Sequence, residues 1–181
     1  WSQRERLHLY QQAREELWMT GLAYHCTCSR TQRNAYTGDS CPGHCRYSDV
    51  PFEAGRTATR LHLDGLPDPI IWRRDDLPAY HLTSVVDDHH GLINLVVRGE
   101  DLEAATDVQR FISKALPGNT FHAALVVHHP LVTSEGRKLS KSAGARSSPL
   151  PCSEDVRAAV SEVAAKYSAS AQAVLRRNLE D

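Results

Sequence analysis

Residues 92–102 read Leu-Ile-Asn-Leu-Val-Val-Arg-Gly-Glu-Asp-Leu, and the fold turns on this stretch. Leu92 to Val97 is a continuous apolar run of strand length, the pattern of a strand covered on both faces. Arg98-Gly99-Glu100-Asp101 then leads into a helix expected to run towards Leu116, before Pro117-Gly118 stops it. Further on, Ala123 to Val127 is a second β-like run, with His128-His129-Pro130 at its end. Strand, helix and strand in alternation predict a parallel α/β sheet, whose ligands bind at the carboxyl ends of the strands. Arg98 and His129 both fall just past such ends.

Towards the N-terminus, Tyr80 to Val86 predicts a short helix ending near Asp87-Asp88. Ile70-Ile71-Trp72 predicts an extended run, entered from the turn Gly65-Leu66-Pro67-Asp68-Pro69. Thr57 to Leu63 alternates like a half-buried strand, and Leu22 to Cys28 is a short apolar strand. The opening segment predicts a helix: Ser2 with Glu5 fits a capping box, and Leu7, Tyr10, Ala13 and Leu17 share one face until Gly21. Beyond residue 142 lies a linker rich in Ser and Pro, then a short Ala/Val-rich helical tail opened by Ser153. There is no internal repeat.

The 181 residues carry 21 Lys plus Arg against 22 Asp plus Glu, a net charge of −1, so no global positive field draws in nucleic acid or anionic membrane. No apolar run reaches the ~18 residues that span a bilayer. No leader is expected. A hydrophobic fraction of 41% with 24% charged residues places the chain among ordinary globular proteins.

Four of the five cysteines fall at Cys26, Cys28, Cys41 and Cys45, while Cys152 stands alone. A secreted disulfide scaffold spreads its cysteines; clustering in pairs predicts one metal held by thiolates in a reducing compartment, the cytoplasm. Four thiolates suit a tetrahedral, closed, structural zinc site within a knuckle at about residues 24–46. Two disulfides or four unrelated thiols are the alternatives, and His44, His25 or Tyr36 could replace one thiolate. A second feature is Gly-Arg-Lys-Leu-Ser-Lys-Ser at 136–142. Its lysines, three apart with a hydroxyl between, suit a loop that closes on phosphate; a solvated basic loop is the bland alternative.

Lys138-Leu139-Ser140-Lys141-Ser142 resembles the KMSKS loop of class I aminoacyl-tRNA synthetases. Leu77-Pro78-Ala79-Tyr80-His81-Leu82, Val85-Val86-Asp87-Asp88, Val97-Arg98-Gly99-Glu100-Asp101-Leu102 and His129-Pro130-Leu131 are similar, in order and spacing, to the second half of a glutamyl-type synthetase catalytic domain. The resemblance runs over residues 1–146, leaving 147–181 as linker and tail. It implies the C-terminal part of a Rossmann-like parallel-sheet domain with a zinc-knuckle insertion. The knuckle resembles that of the short glutamyl-queuosine group, where a tyrosine usually stands in place of Cys41.

The resemblance further implies an enzyme that activates glutamate with ATP and Mg²⁺ and transfers it to the queuosine base of tRNA(Asp). Tyr80 then matches the tyrosine that contacts the amino acid, and Arg98 the arginine that meets its side-chain carboxylate. Lys141, supported by Lys138, matches the catalytic triphosphate contact, with Ser140 and His129 completing the ATP site. Arg98 and Lys141 are expected to converge on one cleft. A truncated glutamyl-tRNA synthetase charging tRNA(Glu), or a non-catalytic zinc-stabilised module that binds tRNA or protein, are the competing readings. The family's ATP-holding His-x-Gly-His-like element does not occur in the 181 residues, so the chain is expected to be a fragment or a truncation, with weak or no adenylate formation alone. Asp87-Asp88 is expected to be structural rather than a Mg²⁺ site, and His89-His90 and His128-His129 to be packing or exposed.

Overall fold

The computed structural model describes residues 2–29, 31–32, 41, 43–129, 133–134 and 137–138. They fall in two compact units. The first comprises residues up to Ile93 together with Ala104–Ala123; the second comprises Asn94–Glu103 and the described residues from Ala124 onward.

In the first unit a 3-10 turn, Gln3–Arg6, leads into helix α1, Leu7–Met19. Ser2 caps the turn by accepting the Arg4 N–H at 3.3 Å. The apolar face read from the sequence is the one that packs: Tyr10, Ala13 and Leu17 are buried. Gly21 ends the segment at φ +73°, a left-handed position that glycine takes without strain. Strand β1, Ala23–Cys26, pairs antiparallel with β2, Ala58–Leu61, and β2 pairs antiparallel with β3, Ile70–Trp72. As the middle strand, β2 is buried along its whole length rather than half-buried as its alternation predicted. Even Arg60, 2% exposed, lies inside, its Nη1 donating to the Asp68 carbonyl.

Helix α2, Tyr80–His90, packs on α1. Their junction is Asp87, whose carboxylate accepts from Gln3 Nε2 (2.9 Å), Arg6 Nε (2.7 Å) and the Tyr10 hydroxyl (2.8 Å). Burial and the adjacent Asp87 push the Tyr10 phenol up to about 12. Arg14 reaches from α1 to lie over the Phe52 and Trp72 rings, at 4.5 and 4.8 Å from their centroids. Helix α3, Glu103–Ala115, buries Ile112 and Gln109. Near its end Ser113 bonds to Asn119 beyond it at 2.6 Å, and the two accept the backbone N–H groups of His122 and Phe121.

In the second unit β4, Leu95–Gly99, and β5, Leu125–His129, form the expected parallel pair, Leu95 opposite Leu125 through Gly99 opposite His129. Two-residue strands β6, Thr133–Ser134, and β7, Arg137–Lys138, form an antiparallel pair.

The run Leu92–Val97 corrects the sequence reading. Its first residues are not strand. Leu92 adopts φ +54° and closes α2: its N–H bonds to His89 O, and the Ile93 N–H reaches back to Asp88 O at 2.9 Å. The neighbouring Gly91 keeps an ordinary helical φ of −78°. Nor is the strand covered on both faces, since Val97 is 51% exposed.

Candidate metal centre and substrate residues

The turn-rich stretch after β1 brings its four cysteines together. Cys26 ends β1, Cys28 follows two residues on, and Cys45 sits in a 3-10 turn, His44–Tyr47, entered through Gly43 at φ +102°. All four are buried free thiols, so the two-disulfide alternative does not describe them. Their sulfurs lie within 4.8 Å of one another. Cys28 Sγ is 3.7 Å from Cys41 Sγ and 3.6 Å from Cys45 Sγ. Zinc–sulfur bonds of about 2.3 Å in a tetrahedron require ligand edges of about 3.8 Å, so the cluster fits a zinc ion closely.

The surroundings act on the thiols in opposite directions. Burial pushes the Cys26 and Cys28 thiols up. At Cys45 burial acts the same way, but the Thr27 backbone N–H, with donations from the Cys28 and Cys41 thiols, outweighs it and holds this thiol below its usual range. Arg74 Nη2 donates to the carbonyls of Thr27 and Cys28, each at 2.9 Å, clamping the backbone that carries two of the sulfurs. Sequence reasoning missed Arg74, and nothing in its neighbourhood signals it: it stands 46 residues from Cys28 in a charged turn. A cleft of about 430 Å³ opens beside Cys26 and Cys28, lined by Arg60, Arg73 and Arg74 with Asp75. Its positive walls complement the net negative charge of a divalent ion with four thiolates.

Of the alternative ligands, His44 Nε2 lies 3.4 Å from Cys28 Sγ. His25 turns the other way: its Nδ1 is 3.2 Å from Thr59 Oγ1 and its ring stacks on Trp18 at 4.4 Å. Tyr36 is outside the described residues.

Arg98 is nine-tenths buried near the carboxyl end of β4, in register with His128, while Gly99 is in register with His129. Register partners share a face and neighbours along a strand alternate, so His128, rather than His129, is the cross-strand companion of Arg98. Tyr80 opens α2 half-exposed, its ring 5.5 Å from that of His81. Tyr80 belongs to the first unit and Arg98 and His129 to the second. Lys138 lies in β7 opposite Thr133. Ser140 and Lys141 lie outside the described residues, and with them the expected convergence on Arg98.

Asp87 is the structural clamp already described. His89 Nδ1 accepts the Thr120 N–H at 3.3 Å, a packing role. Among the described residues the cysteines are the single close gathering of three or more metal-ligating side chains. No described helix is long and apolar enough to cross a membrane.

The family profile described as "tRNA synthetases class I (E and Q), catalytic domain" matches residues 56–150. The chain is 35% identical over 173 residues to a glutamyl-Q tRNA(Asp) synthetase of Pseudomonas paraeruginosa, covering 84% of this chain and 56% of that protein. It is 36% identical over 162 residues to the Synechococcus protein of the same name, covering 73% and 52%. The chain thus spans about half the length of these curated relatives. Among solved structures, a glutamate tRNA ligase from Elizabethkingia meningosepticum superposes with a TM-score of 0.59 at 18% identity, covering 78% of this chain and 36% of that one.

Proposed function

Because the chain belongs to the class I tRNA synthetases of the glutamate and glutamine (E and Q) type, we propose that it is part of a ligase that activates glutamate with ATP and delivers it to the queuosine base of tRNA(Asp). The observation that carries the choice of acceptor is the match, over 84% of the chain, to relatives named glutamyl-Q tRNA(Asp) synthetase.

In this reading Arg98 receives the glutamate side-chain carboxylate. Its planar fork pairs both oxygens, which a lysine cannot do, and burial at the carboxyl end of a parallel strand is where such folds place ligands. Tyr80 hydrogen-bonds the amino-acid end of the substrate. The glutamate α-carboxylate attacks the α-phosphorus of ATP, the bond to the bridging oxygen breaks, and pyrophosphate leaves with Mg²⁺. Lys141 and Lys138 hold the charge that develops on the departing phosphates, with Ser140 and His129 positioning the nucleotide. A hydroxyl of the queuosine diol then attacks the adenylate carbonyl and AMP departs.

The four cysteines hold zinc, which closes the knuckle and takes no part in the chemistry. The setting is the cytoplasm, where thiols stay reduced.

Radiolabelled glutamate and ATP, supplied together with the full ligase that contains this chain to queuosine-containing tRNA(Asp) and to tRNA(Glu), test this. Label on tRNA(Asp), lost when periodate first cleaves the queuosine diol, is the expected result. Label at the 3′ end of tRNA(Glu) would assign the chain to a charging enzyme instead, and glutamate-independent tRNA binding without transfer would make it a binding module.

A further inference from the structure

A fifth donor stands at the cysteine cluster. His44 Nε2 is 3.4 Å from Cys28 Sγ, which itself lies 3.7 Å from Cys41 Sγ and 3.6 Å from Cys45 Sγ. A tetrahedral ion with bonds of about 2.3 Å to sulfur and about 2.0–2.1 Å to nitrogen separates those two donors by about 3.6 Å, so His44 keeps a ligand-to-ligand distance from Cys28. It precedes Cys45 in the same 3-10 turn, so one piece of backbone places both. That turn is fixed at its entry by Gly43 and at its exit by Ser48 Oγ, which donates to the His44 carbonyl at 2.7 Å. His44 itself is exposed. Cys26, by contrast, is 1% exposed, and His25 beside it faces Thr59 and Trp18.

We propose that His44 is a reserve ligand of the metal centre, seated against Cys28 so that its Nε2 takes the metal when the Cys28 thiolate leaves it. The proposal rests on the reading that the four thiolates hold zinc. In the exchange the zinc–Sγ bond to Cys28 breaks, the Nε2 lone pair forms a zinc–nitrogen bond, and the released thiolate takes a proton from solvent. Four protein donors thus hold the ion both before and after the exchange. Cys28 is thereby the replaceable corner of the site and Cys26 an irreplaceable one.

Cobalt titration of the chain separates the two readings, because charge-transfer intensity counts thiolates and the d–d bands distinguish nitrogen from sulfur. One tightly bound Co²⁺ with a four-thiolate spectrum in the wild type supports the zinc reading; no binding there would overturn that reading, independently of His44. Given wild-type binding, Cys28→Ser is expected to keep one metal, with about three-quarters of the charge-transfer intensity and d–d bands shifted by nitrogen. Adding His44→Ala is expected to weaken metal binding roughly 10–100-fold in the Cys28→Ser background and not in Cys26→Ser. Equal affinities and spectra for Cys28→Ser with and without His44, or equal dependence on His44 at positions 26 and 28, would overturn the proposal. Should Cys28→Ser fail to fold, His44→Ala in the otherwise intact chain decides: zinc transfer to a chelator at least several-fold faster supports the reserve ligand, and an unchanged rate refutes it.

Discussion

Replacing Asp87 with alanine removes the acceptor of three hydrogen bonds at once. Gln3, Arg6 and Tyr10 all donate to this carboxylate, and the Arg6–Asp87 pair is well shielded, with side-chain exposures of 17% and 14%. Even so, the guanidinium keeps some access to water, which screens the loss of its partner. The Tyr10 hydroxyl, on a fully buried side chain, adds about 1–2 kcal/mol when left unsatisfied. We therefore expect about 2 kcal/mol in all, mostly from that hydroxyl, a fall in melting temperature of about 4–8 °C for a chain this size. Thermal unfolding followed by circular dichroism measures it.

The cycle with Tyr10→Phe sharpens the test. Alone, that change should cost about 1–2 kcal/mol. In the Asp87→Ala background it should cost nothing, because it removes a hydroxyl that has already lost its acceptor. A loss under about 1 kcal/mol for Asp87→Ala, or additivity of the two changes, would refute the clamp. A changed Mg²⁺ dependence of activity in the mildly perturbed Asp87→Asn would point instead to a metal role for this carboxylate.

Other expectations concern separate parts of the molecule. Arg98→Ala should lower kcat/KM for glutamate by about 3–5 kcal/mol, seen in ATP–pyrophosphate exchange by the active enzyme, with little change in the KM for ATP; equal effects on both substrates would contradict the assignment. Leu92→Gly should stabilise the chain by about 1 kcal/mol in denaturant unfolding, because glycine takes the left-handed cap position without the Cβ strain of leucine. Tyr10 titrates at about 12 in the fold against about 10 when exposed. A raised folded pKa stabilises below the unfolded value, so its contribution should be complete below about pH 10 and disappear as pH rises from 10 to 12; Tyr10→Phe should flatten that limb. On the zinc reading, a chelator should expose the amides of the knuckle to hydrogen exchange while α2 and α3 stay protected, since metal binding supplies on the order of 10–16 kcal/mol to such folds.

What the residues reveal by themselves is local periodicity and soft-ligand spacing. The face Tyr10, Ala13, Leu17 and the pairing of two cysteines with two more each follow from spacing alone, and both are realised. The parallel β4–β5 pair follows from alternation of apolar runs with a helix. Burial is less legible, because apolarity says that a run wants cover and not what supplies it. Arg60 is 2% exposed in a strand whose pattern reads half-wet, since its stem lies in the core and a distant carbonyl, on Asp68, meets its head. Leu92 carries the opposite lesson, an apolar residue taken from a strand to close a helix while the adjacent glycine stays helical. In the metal centre, His44 and His25 were indistinguishable candidates until strand β1 aimed the latter at Trp18.

That stacked pair gives the protein an optical tag of its own. Trp18 sits at the end of α1, its indole 43% exposed and pressed flat on the imidazole next to Cys26. Any loosening of the chain at Cys26 must tilt His25 and uncover the indole further. Its emission should therefore redden and change in yield as metal is withdrawn, so that the occupancy of a spectroscopically silent ion can be followed in real time, in the unlabelled molecule, by fluorescence.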